Sequence, residues 1–160
     1  MRMTKRTSLV LMVLTLFLMG MGNERAIAAE IRPVETIIND VKKHIGELTI
    51  NVESIKKRIE FLQALPSSDD PVIRELRDLD LKGWTLHLEQ WNLQLKHLEF
   101  TEALLQKAQT LSGQHHELKA EWHTHESQYR ASLENYRRQR DAIEERRLIT
   151  EGRMFERYFP

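Results

Sequence analysis

Apolar residues in the first part of the sequence recur at alternating intervals of three and four positions. The series begins at Ile31 and ends at Leu62, and charged residues such as Lys42 and Glu47 lie between its members. This heptad pattern is typical of a helix that packs along a partner helix. Because Ile and Val are mediocre helix formers, packing has to stabilise this helix, which we predict over residues 32–63. The members are Ile31, Val34, Ile38, Val41, Ile45, Leu48, Val52, Ile55, Ile59 and Leu62.

A second apolar pattern begins after a break at Pro66. Asp69 or Asp70 suits a helix N-cap there and Pro71 suits the first helical position, which predicts a helix over residues 71–111. Its apolar residues fall on two opposite sides, so two neighbours must cover it: the first helix, and either a third helix or a second subunit. One side holds Trp84, Leu88, Trp91, Leu95, Leu98 and Leu105; the other holds Leu79, Leu86, Leu93, Phe100, Leu104 and Leu111.

Gly113 decides between two arrangements of the rest of the chain. Gly is the preferred residue just past a helix end, which predicts a turn and a third helix over residues 114–150. The alternative is one helix over residues 71–150, about 120 Å long, because three leucines stay seven apart through the Gly: Leu104, Leu111 and Leu118. Three helices of similar length and a two-faced middle helix favour an all-α, antiparallel three-helix bundle resembling a coiled coil.

The third stretch is more polar than the others and ends in aromatic residues. Beyond Arg130 every basic residue is Arg, and acidic residues alternate with them, so we interpret this face as solvated and expect no nucleic-acid binding. The bundle is expected over residues 29–151, followed by an aromatic tail over residues 152–160. Phe155, Tyr158 and Phe159 in this tail either cap the end of the bundle or dock a partner. The apolar stripe of the third helix is Leu118, Trp122, Tyr129, Leu133, Tyr136 and Ile143.

Residues 1–28 have the pattern of a secretory signal peptide. A basic start is followed by an uncharged apolar run and by Ala26-Ile27-Ala28, an A-x-A cleavage pattern. We expect cleavage after Ala28 and export to the periplasm or cell envelope of a bacterium, or secretion, with no stable membrane insertion of the cleaved chain. The alternative is an uncleaved membrane anchor, although the apolar run of about 15 residues is short for a span.

Composition narrows the possible classes of protein. The chain of 160 residues has no Cys, which excludes disulfides, thiol catalysis and Cys metal sites. Lys+Arg and Asp+Glu are balanced at 24 each; removing residues 1–28 takes away four basic residues and one acidic residue, which leaves a net charge of −3. No nucleotide-binding, hydrolase or other enzyme motif occurs, and we predict a protein that is not an enzyme and needs no cofactor.

Four histidines within eleven residues form a candidate metal site. His115, His116, His123 and His125 lie near Glu121, and these side chains suit Zn, Cu or Ni. No two of the histidines are four apart on a helix, so weak metal binding or a solvated, incidental cluster are the two interpretations. The spacing of Glu121 and His125 is the one that favours chelation on a helix.

Trp84 and Trp91 are seven apart with Leu88 between them, which indicates bundle core or an apolar surface for a partner.

Taken together, the sequence predicts an exported, non-enzymatic helical protein that binds other macromolecules. An envelope scaffold, an accessory subunit of a complex and a holdase-type chaperone are the candidate roles, with a protein partner or self-association through helical faces. The alternative function is metal binding or metal sensing in the envelope through the histidine cluster.

Overall fold

A computed structural model describes residues 34–110 and 115–159 of the chain. Three helices make up 94% of these residues: α1 over Val34–Ala64, α2 over Pro71–Thr110 and α3 over His115–Tyr158. α2 packs against both α1 and α3, as its two apolar sides predicted, and the fold is an all-α helical bundle. The predicted signal peptide and Gly113 lie outside the described residues.

α2 begins at a cap that the sequence predicted. An Oδ1 atom of Asp70 accepts hydrogen bonds from the backbone N–H groups of Val72, at 2.7 Å, and Ile73, at 3.4 Å. Pro71 takes the first helical position, where a missing N–H costs nothing. Between the two candidates for the cap, the structure therefore selects Asp70 rather than Asp69.

The end of α1 is closed by a side chain of α2. Arg77 donates hydrogen bonds to the carbonyl oxygens of Leu62 and Gln63, each at 3.1 Å, and of Pro66, at 2.9 Å. The last four carbonyls of a helix have no partner within the helix, and the guanidinium of Arg77 satisfies two of those that α1 leaves open.

The chain divides into two compact units, and each helix contributes a segment to each unit. Unit 1 consists of the described residues within Met1–Gly46 and His97–Ser127, and unit 2 of those within Glu47–Lys96 and Gln128–Pro160. The buried apolar residues of unit 1 are Ile37, Ile38, Val41, Leu98, Leu104, Leu105, Leu118 and Trp122. Those of unit 2 are Val52, Ile55, Leu62, Leu79 and Leu86.

The direction of the chain reverses between α2 and α3. In unit 1, Lys107 Nζ lies 2.9 Å from Glu121 Oε1, although the two residues are 14 positions apart. In a continuous helix, 14 positions correspond to about 21 Å of rise. The alternative of one helix over residues 71–150 is therefore wrong, and α2 and α3 lie side by side in unit 1.

The predicted end of the third helix near residue 150 needs correction. α3 continues through Gly152 to Tyr158, and the N–H of Phe159 still donates to the carbonyl of Phe155 at 2.9 Å. The aromatic tail is therefore the last part of a helix, and contacts with α2 described below explain why this helix persists. None of the described helices is long and apolar enough to cross a membrane.

Candidate functional site

In unit 2, polar contacts fasten one side of the end of α3 to α2. Glu75 accepts hydrogen bonds from Arg153 and from Arg146, whose Nε lies 2.7 Å away. Thr150 between them is fully buried; its hydroxyl accepts from Arg153 at 3.1 Å and donates to the carbonyl of Arg146 at 2.9 Å. The hydrogen bond from Arg153, supported by that from Arg146, lowers the pKa of Glu75. Glu75 is thus charged at neutral pH and holds two turns of α3.

The last turn of α3 is fastened to the cap of α2. The hydroxyl of Tyr158 donates to Asp70 Oδ2, and the guanidinium of Arg157 lies 3.4 Å from the same carboxylate. The hydrogen bond with Tyr158 lowers the pKa of Asp70 and raises the pKa of Tyr158. Of the predicted tail residues, Tyr158 therefore acts in capping the end of unit 2.

The opposite side of the same helix carries exposed apolar residues. Leu148, Phe155 and Phe159 are 61%, 58% and 72% exposed, and Gly152 lies between them. These four positions are spaced by four, three and four, so they share one face of the helix, and we call them the outer stripe. The rings of Phe155 and Phe159 lie 5.6 Å apart. The contacts of Tyr158 thus fit the predicted capping role, and docking of a partner by Phe155 and Phe159 stays a prediction.

Exposure of large apolar side chains is confined to one unit. Within the described ranges, all of them belong to unit 2, and unit 1 has none. The outer stripe accounts for three of these residues on a single helix face. The others are Ile50, Phe61, Leu65, Ile73, Ile149 and Tyr158.

Charge is distributed unequally around the end of α3. The arginines near this end form ion pairs. Arg147 lies 3.6 Å from Asp80 and 2.9 Å from Glu151, and Arg146 and Arg153 pair with Glu75 as described above. By contrast, Glu145 and Glu156 are exposed and form no ion pair with any residue that the structure describes. These two acidic side chains therefore form the rim of the outer stripe, Glu156 beside it and Glu145 at its start.

Unit 1 contains a buried histidine outside the predicted histidine cluster. His97 is 5% exposed; its ring stacks on His125 with centroids 5.2 Å apart and lies 5.5 Å from Trp122. Its Nε2 atom lies 3.8 Å from Oε2 of the buried Glu126. Burial, with a smaller contribution from the nearby His125, lowers the pKa of His97 to about 4. At neutral pH the imidazole of His97 is therefore uncharged.

The predicted histidine cluster is dispersed by the structure. His116 and His123 are exposed, whereas His125 packs on Phe100 with ring centroids 3.8 Å apart. Glu121 forms an ion pair with Lys107. The side chain of His115 lies outside the described part, and the described residues contain no group of three His, Asp or Glu side chains able to hold a metal ion. Metal binding by this segment stays a prediction.

Trp84 and Trp91 lie half-buried in unit 2, with His87 between them. Trp91 Nε1 donates to His87 Nε2 at 2.8 Å, and the two indoles lie 5.9 and 5.8 Å from the imidazole, edge to face. The guanidinium of Arg58 lies 6.0 Å from the Trp84 ring. These contacts fit a packing role better than the predicted partner surface, because neither indole is exposed.

Comparison with known proteins adds no relative: no family model matches the chain, and neither the curated proteins nor the solved structures contain a match.

Proposed function

We propose that this chain is an exported, non-enzymatic helical protein that binds another protein through the outer stripe. The observation that carries the proposal is the exposure of Leu148, Phe155 and Phe159 on one face of a helix whose opposite face is fastened to α2. Grouped exposed apolar side chains mark interaction sites, and aromatic residues are frequent anchors of protein interfaces.

The geometry of the stripe favours one defined partner over many unfolded clients. Its four positions extend over three helical turns at the spacing of a coiled-coil seam, which fits a partner helix of fixed register. The helix is held in place before any partner arrives, so binding does not have to order it. Among the three candidate roles, an accessory subunit or a scaffold of the cell envelope therefore fits better than a holdase. Export is supported by the sequence pattern of residues 1–28.

A photoreactive phenylalanine analogue placed at position 155 tests the proposal in the native host. We expect a discrete crosslinked product from position 155. The same analogue at position 138, where the Arg side chain is 78% exposed on α3, is the matched control and should give no product. If folded protein is present and position 155 gives no product, or the same products as position 138, the proposal is wrong.

Two further measurements address the finer parts of the proposal. Fractionation of the host and the intact mass of the protein show whether it is exported and whether residues 1–28 are removed. Light scattering of an aggregating client protein separates the docking role from a holdase. Suppression of aggregation at equimolar ratio that is lost in Phe155→Glu would favour the holdase instead.

A further inference from the structure

We infer that the outer stripe takes a basic amphipathic helix of a partner protein, in which an apolar seam is flanked by Lys or Arg. This inference rests on the proposed function and deepens it by naming the chemistry of the partner. Three observations in unit 2 carry it: the spacing of the stripe, the open space over Gly152 and the charge of the rim.

The heptad spacing of the outer stripe indicates that the partner segment is a helix. Leu148, Gly152, Phe155 and Phe159 occupy alternating seam positions of a heptad, and towards the start of the helix the same seam continues into Glu145. The apolar part is therefore about three turns long and has a polar limit at one end. A partner helix of two to three heptads covers this length.

Gly152 leaves an open position in the middle of the stripe. A Cβ atom built at Gly152 would meet nothing within 4 Å, so the space above the backbone is open. In knobs-into-holes packing, a side chain of one helix fills a space between four residues of the other. The partner therefore presents a large apolar residue above Gly152, between Leu148 and Phe155.

The rim of the stripe selects the charge of the partner. Arg146 and Arg153 are paired with Glu75 of α2, and Arg147 is paired with Asp80 of α2 and with Glu151 of α3, so these arginines leave Glu145 and Glu156 unneutralised. Glu145 and Glu156 remain exposed without an ion pair to any described residue. Complementary potentials determine which partners an interface accepts, and this rim therefore favours Lys and Arg and disfavours acidic partners.

A second copy of the chain in parallel orientation is a poor occupant for the same reason. In a parallel pair of outer stripes, Glu151 of one copy would face Glu156 of the other across the seam, because flanking positions five residues apart meet in parallel coiled coils. In an antiparallel pair, unlike seam positions face each other, so Leu148 of one copy would face Phe159 of the other and Phe155 would face Gly152; the sedimentation experiment below tests this arrangement. The parallel arrangement therefore sets like charges together, and the antiparallel one supplies no basic side chain to Glu145 and Glu156.

Two designed helical peptides test the inference with the full chain. Both have Leu at the seam positions over three heptads; one has Lys and the other Glu at the flanking positions, and binding is followed by fluorescence anisotropy. We expect the Lys peptide to bind at least about tenfold more tightly than the Glu peptide, and the difference to shrink with salt. Equal binding of the two peptides would overturn the inference.

Variants of the chain locate the interaction. Phe155→Glu should abolish binding of the Lys peptide, and Gly152→Leu should weaken it at least about tenfold because the added side chain fills the open position. The double charge reversal Glu145→Lys with Glu156→Lys should transfer the preference to the Glu peptide. Circular dichroism verifies that each variant is folded; unchanged binding by folded Phe155→Glu or Gly152→Leu would contradict the proposed site.

The matched control is Glu47→Lys with Glu60→Lys, which changes the net charge equally at exposed positions of α1 in unit 2. We expect this control to retain the preference for the Lys peptide. Loss of the preference in the control as well would attribute it to overall charge and overturn the inference. Concentration-dependent dimerisation in sedimentation experiments, lost in Phe155→Glu, would instead identify a second copy as the occupant.

The outcome separates this inference from the proposed function. Crosslinks from position 155 in the host, combined with no charge preference for the peptides, would refute the basic partner and leave docking at the stripe in place. Absence of those crosslinks refutes the proposed function itself.

Discussion

The stability of the protein should fall between pH 7 and pH 5 because of His97. An imidazole that is 5% exposed gives up most of its hydration, so the charged form is disfavoured and the pKa lies at about 4 in the folded state. The ordinary pKa of His is 6.5. Between these two values the unfolded chain binds a proton that the folded chain rejects, so acidification stabilises the unfolded state.

The size of the effect follows from the two pKa values. A difference of about 2.5 units corresponds to roughly 3 kcal/mol, which is lost in full only below the folded pKa. About 2 kcal/mol of this is lost between pH 7 and pH 5, where most of the unfolded chains carry the proton and the folded ones do not. Above pH 7 the residue is uncharged in both states and contributes no pH dependence.

Urea unfolding at pH 7 and pH 5 measures this loss, and His97→Phe removes the titrating group while keeping an aromatic ring next to Trp122. The free energy of unfolding of the variant should fall by about 2 kcal/mol less than that of the parent protein over this range. His125 and His87 also have pKa values lowered by burial and act in the same direction, but they are present in both proteins. Parallel pH dependences of parent and variant would refute the reasoning.

Three further predictions concern packing, the helix end and the tryptophans. Leu105→Ala should lower the free energy of unfolding by roughly 2–5 kcal/mol in urea denaturation, since Leu105 is 2% exposed and its removal leaves a cavity; a loss well below this range would contradict its place in the core. Gly152→Ala should raise the free energy of unfolding by up to about 1 kcal/mol, and with it the thermal midpoint, because an added Cβ meets nothing within 4 Å and Ala is the better helix former. A lower thermal midpoint in the variant would contradict the open space at Gly152. Tryptophan fluorescence should change on acidification with a midpoint below pH 6.5, because protonated His87 cannot accept the hydrogen bond of Trp91, and His87→Leu should remove this transition.

Much of the fold could be predicted from local patterns. The heptad series identified α1, and the two apolar sides of α2 predicted that it has two neighbours, because these signals depend only on the helical period. Asp70 and Pro71 gave the start of α2 through the chemistry of the helix N-terminus. The contacts of Arg77 with the end of α1 could not be predicted, since residues 11 to 15 positions apart meet only after the chain has turned.

His97 was missed although its position carried a signal. It lies four residues after Leu93 and three before Phe100, so its helical position is on the predicted apolar side of α2. Burial of His97 could have been predicted from this position. The candidate cluster of histidines was chosen by proximity in sequence, yet α3 places His125 against Phe100 and leaves His116 exposed. Helical phase was therefore a better guide to burial here than the density of one residue type.

At the end of α3, residue spacing alone could not determine which side of the helix faces α2. The four-three-four spacing of the outer stripe is present in the sequence. A second set of residues on the other side of the helix has the same spacing: Arg146, Thr150, Arg153 and Arg157. Which side faces α2 depends on Glu75, more than seventy positions away from the arginines that it binds.

The same long-range ion pairs determine which side chains of α3 remain exposed. Because Glu75, Asp80 and Asp70 draw the nearby arginines to one side, the helix is held by polar contacts and its apolar residues are left outside. An apolar stripe on this side contributes little to the stability of the unit, since Phe155 and Phe159 are 58% and 72% exposed. The proposed partner helix rests on this combination: polar contacts hold one side of α3, and an apolar stripe, whose two rim glutamates pair with no described residue, is left exposed on the other.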